Sequence, residues 1–215
     1  MKIGVLGTGM VGSTIGSKLV QLGYEVKMGS RTANNENAHK WVLASGPRSS
    51  QGTFADAAAF GEIVFNCTAG RASLEALKLA GGRNLTGKIL VDVANPLDFS
   101  KGMPPTLTIS NSDSLGEQVQ RAYPDVKVVK TLNTISCSVM VNPGIVHGEH
   151  DVFISGNDPA AKKLVADILK NGFGWKSVVD LGDITTARGA EMLLPLWVRL
   201  YGLYQNPNFN FKIVR

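Results

Sequence analysis

Six residues near the start of the chain, Gly7-Thr8-Gly9-Met10-Val11-Gly12, have the types and spacing to hold a phosphate. They follow the apolar run Lys2–Leu6 and open a segment in which Val11, Ile15, Leu19 and Leu22 recur at helical steps. In a strand–turn–helix unit of this kind Gly7 permits the tight turn and Gly9 lets backbone approach a pyrophosphate. Gly12 lets helix and strand pack closely. The helix N-terminus then offers free N–H groups and its positive dipole end to the phosphates. The chemistry expected of Gly7, Thr8, Gly9, Met10, Val11 and Gly12 is therefore dinucleotide binding.

The end of the next strand selects the dinucleotide. An acid there would accept hydrogen bonds from a ribose 2′-hydroxyl, but this chain has Ser30-Arg31-Thr32. Arg31 can pair with a 2′-phosphate, and Ser30 and Thr32 can donate hydroxyl hydrogen bonds to it. The expected cofactor is NADP(H). In an open α/β sheet the ligand lies across the carboxyl ends of the strands. That rule brings Thr68 and Ala69 to the linker and nicotinamide ribose, and Asn95, Pro96, Asn133, Thr134 and Ile135 to the nicotinamide and acceptor rings. Hydride transfer between stacked rings needs orientation more than acid–base help. No side chain is assigned as a catalytic acid or base; Asn95, Asn133, Thr134 and Ile135 are expected to orient the rings.

Alternating elements must position these residues. Strand-like runs fall at Lys2–Leu6, Glu25–Met28, Ile63–Cys67, Lys88–Val93, Lys127–Leu132, Val152–Ser155 and Ser177–Leu181. Most are apolar along their whole length, as strands covered on both faces are. Helical candidates lie between them at Val11–Leu22, Asn37–Ala44, Ser73–Leu79, Ser112–Ala122, Pro159–Asn171 and Thr185–Tyr204, with Asp158 as N-cap before Pro159. The alternation predicts an α/β protein with a Rossmann-type, doubly wound, mostly parallel sheet and a small C-terminal α/β extension. A boundary is expected in the loop near residue 145, dividing an NADP-binding domain (1–145) from a small C-terminal domain (146–215).

Composition narrows the class. The 215 residues are 44% hydrophobic and 18% charged, which excludes a disordered or coiled-coil chain. No apolar run approaches the roughly 18 to 20 residues of a membrane span. The net charge of +5 is spread without a basic run, so no nucleic-acid or membrane partner is expected. Cys67 and Cys137 are the only cysteines, each in a strand-like segment, and suit a reducing, cytoplasmic setting better than a disulfide scaffold. The loop His147-Gly148-Glu149-His150-Asp151 lacks a ligand spacing, so no metal site is assigned. Trp41, Trp175 and Trp197 read as core or interface anchors. The greasy helix Thr185–Tyr204 either lies under the tail Phe209–Ile213 or forms a subunit interface.

Taken together the motifs resemble the NADPH-dependent reductases of coenzyme F-420, an 8-hydroxy-5-deazaflavin. The resemblance rests on the glycine turn, on Leu22-Gly23-Tyr24-Glu25-Val26 leading into Gly29-Ser30-Arg31, on Val129-Lys130-Thr131-Leu132-Asn133-Thr134-Ile135, and on Val152-Phe153-Ile154-Ser155-Gly156-Asn157-Asp158. It spans nearly the whole chain. The chain departs from the family at Asn133, where a His is frequent, and at Thr68-Ala69-Gly70, where an apolar residue and a Pro are frequent. The resemblance implies hydride transfer between NADP(H) and a deazaflavin, a small-molecule redox acceptor, in a cytoplasmic homodimer whose C-terminal region helps wall the acceptor pocket. Two alternatives stay open. One is an NADPH-dependent flavin or ferric-chelate reductase, and the other is a non-catalytic NADPH-binding regulatory protein. Arg71 is a candidate to meet an anionic acceptor.

Overall fold

The computed structural model describes every residue from Met1 to Arg215. In chain order the elements are β1 (Lys2–Leu6), α1 (Met10–Gln21), β2 (Glu25–Ser30), α2 (Glu36–Ser45), β3 (Ser49–Thr53), α3 (Phe54–Phe60), β4 (Ile63–Asn66), α4 (Gly70–Ala80), α5 (Gly82–Leu85) and β5 (Ile89–Asp92). A small hairpin follows, β6 (Leu97–Asp98) with β7 (Thr106–Leu107), then α6 (Leu115–Ala122), β8 (Lys127–Thr131), α7 (Cys137–Val141), β9 (Asp151–Gly156) and α8 (Pro159–Asp167). The chain ends with β10 (Ser177–Gly182), α9 (Ala187–Met192) and α10 (Leu194–Tyr204).

Eight strands form one sheet in the order β10-β9-β8-β5-β4-β1-β2-β3. From β3 to β8 every pairing is parallel, in the doubly wound order whose direction of winding reverses between β1 and β4. That reversal opens a crevice at the carboxyl ends of β1 and β4, beside the glycine turn. β9 runs antiparallel to β8, and β10 runs parallel to β9. The expected boundary near residue 145 thus falls between strands of a continuous sheet, and the C-terminal part extends that sheet.

The uniformly apolar strands are explained by two cores. Ile3, Val5, Ile63, Phe65, Val91 and Val129 pack on the face covered by α1, α2, α7 and α8. Their neighbours Leu6, Val64, Leu90 and Val128 pack on the other face, under α3, α4, α6 and α9. Successive strand residues point to opposite faces, so a strand covered on both sides needs apolar residues at every position. Each such buried side chain contributes roughly 1.5–3 kcal/mol.

The structure corrects several sequence expectations. β3 and α3 are absent from the periodicity reading because Ser49-Ser50-Gln51-Gly52-Thr53 is a polar edge strand and α3 is seven residues long. What starts α3 is a capping box, with the Thr53 side chain accepting from Asp56 N–H and the Asp56 carboxylate accepting from Thr53 N–H. Cys137 opens α7 instead of lying in a strand. The helix expected over Thr185–Tyr204 divides at Leu193, because Pro195 lacks the N–H that would continue the ladder. The helix after Asp158 ends its α-helical part at Asp167 and continues as a wider π-type turn to Phe173.

Candidate functional site

The glycine turn sits where β1 meets the crevice. Gly7 adopts φ 113°, a conformation side chains resist, and a Cβ there would lie 2.7 Å from the Cys67 carbonyl. A Cβ on Gly12 would lie 2.1 Å from the Gly7 carbonyl oxygen, so α1 can approach β1 only without one. A Cβ on Gly9 would meet nothing within 4 Å, since this glycine faces open space. Gly7 N–H donates to the Gly29 carbonyl at 3.0 Å, tying the turn to the end of β2.

Helix caps separate α1 and α4 from α2, α6 and α8, which also pack on the sheet. α2, α6 and α8 have N-termini capped by the side chains of Asn35, Ser114 and Asp158. α1 and α4, which open into the crevice, have no side-chain cap and no acid in the first turn. Their dipoles favour negative charge there.

The crevice is a cleft in two connected parts. The polar part, about 810 Å³, is lined by Gly7, Thr8, Gly9, Ser30, Arg31, Thr32, Thr68 and Ala69, together with Asn35, Phe54, Arg71, Glu75 and Leu79. The apolar part, about 470 Å³, shares Cys67, Thr68, Ala69 and Arg71 with it and adds Val11, Ala94, Asn95, Leu97 and Phe99. Arg31 and Arg71 are both exposed, and neither takes part in any of the chain's ion pairs. The polar part therefore carries uncompensated positive charge apart from Glu75.

Most residues expected from sequence meet in this cleft, with some differences. The Ser30 side chain is buried and its hydroxyl donates to the Thr32 carbonyl at 2.5 Å, so it closes the turn behind Arg31 and is not free for a ligand. Asn133, Thr134 and Ile135 are 3%, 2% and 5% exposed and line neither part. Asn133 Nδ2 donates to Asn95 Oδ1 at 2.9 Å and to the Ala190 carbonyl at 3.2 Å, while Asn95 Nδ2 returns a bond to the Asn133 carbonyl. The pair locks two loops together, with Asn95 on the wall and Asn133 behind it. Pro96 is likewise buried, and Met10 is 74% exposed on the first turn of α1. No residue after 145 lines the cleft. Phe54, Glu75 and Leu79 went unanticipated because α3 was not foreseen and because only tertiary packing turns that side of α4 to the cleft.

Behind Thr68 lies a buried polar chain that periodicity does not reveal. Thr68 O–H donates to Asn66 Oδ1 at 2.7 Å, and Asn66 Nδ2 donates to Asp92 Oδ1 at 2.8 Å and to Ser73 Oγ at 3.1 Å. Lys130 Nζ lies 2.8 Å from both Asp92 and Glu191 carboxylate oxygens, and all three side chains are essentially inaccessible. Glu191 accepts from the Leu115 and Gly116 N–H groups at the start of α6. Burial by itself would lower the Lys130 pKa, but Asp92 and Glu191 outweigh it and hold the ammonium above its usual range. Burial and the Asp92 charge push the Cys67 thiol far upward, so it is a poor nucleophile.

The remaining candidates are structural. Both His150 nitrogens are engaged, by the Pro143 carbonyl and by Asn210 Nδ2, and its ring meets Trp175 edge-on at 5.1 Å. The tail lies over α10, with Phe209 stacked on Trp197 at 5.2 Å, and is pinned where Asp151 Oδ2 accepts from Ile213 N–H. No helix is long and apolar enough to cross a membrane.

Comparison with known proteins agrees with this geometry. Residues 2–96 match the family described as coenzyme F-420-dependent NADP oxidoreductase. The chain is 30% identical over 162 residues to the F-420-dependent NADP reductase of Methanocaldococcus jannaschii, covering 74% of this chain and 70% of that one. It is 30% identical over 201 residues to the rat metalloreductase STEAP3, covering 91% of this chain but only 38% of the relative's length. A solved Arthrobacter sp. FB24 protein, proposed to be an F-420-dependent NADP reductase, superposes with TM-score 0.95 at 56% identity, with 100% of both chains covered. The chain is an NADP-dependent oxidoreductase and belongs to the coenzyme F-420-dependent NADP oxidoreductase family.

Proposed function

We propose that this chain transfers a hydride between NADP(H) and a deazaflavin of the coenzyme F-420 type. The observation that carries the reading is the join between the two parts of the cleft. A polar half with a glycine turn and an unpaired arginine runs into an apolar half walled by Val11, Leu97 and Phe99. The fit to the cofactor rests on the open face of Gly9, the uncapped start of α1 and the free guanidinium of Arg31. On this reading the N–H groups of the turn and of α1 hold the pyrophosphate, and Arg31 with Thr32 holds the 2′-phosphate. Leu79 and Phe54 flank the adenosine, and Thr68, Ala69 and Asn95 border the nicotinamide half, with Pro96 buried behind them. Asn133, Thr134 and Ile135 act from behind that wall, fixing its position.

Bound NADPH supplies the hydride, and the work of the protein is to stack two flat rings and exclude water from between them. Val11, Leu97 and Phe99 offer apolar surface for a ring, and Arg71 at the shared rim suits an anionic substituent on the acceptor. The reading takes the active species as a cytoplasmic homodimer. Leu196 and Leu203 of α10 are 49% and 71% exposed, and the two cysteines are free. Residues 146–215 line no part of the cleft within one chain, so any wall they supply to the acceptor comes from a second copy.

The test is spectrophotometric, with purified protein, NADPH and separate additions of the deazaflavin coenzyme, FMN, FAD and ferric citrate. Rapid, saturable bleaching of the deazaflavin band is the expected result. Turnover with flavin or ferric iron alone favours the second reading, an NADPH-dependent flavin or ferric-chelate reductase, which the similarity to a metalloreductase supports. NADPH binding without turnover of any acceptor would leave a regulatory protein or a substrate outside this panel. In the same assay Arg31→Ala is expected to weaken NADPH by ~10- to 100-fold, the loss of a charge-assisted contact, with NADH unchanged.

A further inference from the structure

From Lys130 to Thr68 each hydrogen bond in the buried chain has its direction set by its neighbour. Lys130 is a donor only, and it faces Asp92 and Glu191 at 2.8 Å. Asp92, ion-paired with that ammonium at 2.8 Å, accepts through both oxygens. Asn66 must therefore turn its Nδ2 toward Asp92 Oδ1 and its Oδ1 toward Thr68. Both donors of Thr68 are then committed inward, since its O–H reaches Asn66 Oδ1 at 2.7 Å and its N–H reaches the same oxygen at 3.3 Å. Ser73 Oγ, 3.0 Å from Thr68 Oγ1 and itself buried, completes the arrangement.

Thr68 borders both parts of the cleft, where the polar half gives way to the apolar one. The geometry points to Thr68 as a selector of hydrogen-bond polarity, held as an acceptor by Asn66 and Asp92, so that the group it meets must be a donor. This deepens the proposed NADP(H) site and rests on it. With the nicotinamide ring on the apolar side, the only donor that ring carries is the N–H₂ of its carboxamide. Thr68 is thereby a binding residue, while Asn66 and Asp92 are positioning residues 26 positions apart in the chain that act through it.

Asp92→Asn makes a directional prediction. Lys130 still requires an acceptor, so the new amide presents its oxygen to Lys130 and its nitrogen to Asn66. Asn66 must then flip, giving up the 3.3 Å bond from Thr68 N–H, so that Thr68 Oγ1 accepts from it and the Thr68 hydroxyl hydrogen is freed. The variant should favour a ring substituent that only accepts.

The experiment measures equilibrium binding of NADP⁺ and of its 3-acetylpyridine analogue, which replaces the N–H₂ by a methyl group, by calorimetry on the intact protein. Wild type and Thr68→Ser are expected to prefer NADP⁺ by ~5- to 10-fold, about one hydrogen bond. Thr68→Val should bring the ratio near one, and Asp92→Asn should bring it to one or below. Thermal melting of each variant shows whether it is folded, and Thr68→Val, which removes one hydroxyl and leaves the buried ion pairs intact, keeps the test available if Asp92→Asn unfolds. A ratio that stays at its wild-type value in Thr68→Val, or a wild type with no preference, overturns the inference while leaving the cofactor site standing. Failure of wild type to bind either dinucleotide instead refutes the site reading itself.

Discussion

Two regions meet at the cleft, and they are built in opposite ways. The glycine turn works with backbone, and all six of its residues are consecutive in the chain. The polar chain behind Thr68 works with side chains and gathers Asn66, Ser73, Asp92, Lys130 and Glu191 from five elements. The turn presents backbone groups that water already satisfies when no ligand is bound, and while Gly7 and Gly12 are also demanded by the close packing of α1 on β1, Gly9 faces open space. The polar chain has no water to fall back on. Its members are satisfied by one another and by nearby backbone groups, and a buried charge that loses its partner is costly.

This difference is open to direct test. The largest effect belongs to Lys130→Ala, which leaves Asp92 and Glu191 as uncompensated buried carboxylates. A loss of about 3–5 kcal/mol in urea unfolding is expected, and combining Lys130→Met with Asp92→Asn and Glu191→Gln should recover most of it. A single variant that unfolds at the wild-type urea concentration would show that the three charges do not depend on one another.

The converse case is Gly9→Ala. Its φ of −79° is ordinary for any residue and its Cβ would enter open space, so the melting temperature should not change. NADPH affinity should fall by roughly 10-fold or more, because the methyl group stands where a phosphate approaches the backbone. A stability loss without a binding loss would reverse the assignment of the turn.

The smallest effect is acid sensitivity away from both regions. The Arg188 guanidinium bonded to Glu117 holds that carboxyl below its usual range, aided by Ser114 and opposed by burial. A lowered folded-state value means the contribution is fully present above the unfolded value of ~4.3 and fades as pH falls through the folded one. Glu117→Gln should therefore be less stable than wild type at pH 6 and closer to it at pH 3, read by denaturant titration at each pH.

How much was legible follows the same division. The strands at Lys2–Leu6 and Lys127–Thr131, the N-cap at Asp158 and the glycine turn after β1 are local patterns, and each is readable because a few neighbouring residues dictate it. β3 and α3 escaped because their ends are set by pairing with β2 and by a capping box inside a polar stretch. The place of Asn133 after β8 predicts a wall residue. Only the packed structure shows its amide spent on Asn95 and Ala190.

The sequence by itself determined the α/β alternation and the glycine turn after β1, since apolar strands and glycine conformations act over a few residues. Tertiary structure decided which polar residues face the cleft and which are sealed behind it. Lys130 reads in sequence as one more solvated lysine in a strand. It becomes a buried ion-pair centre only when β5, β8 and α9 bring Asp92 and Glu191 to within 2.8 Å of it, because a charge in the interior is tolerated only where the fold supplies its partners.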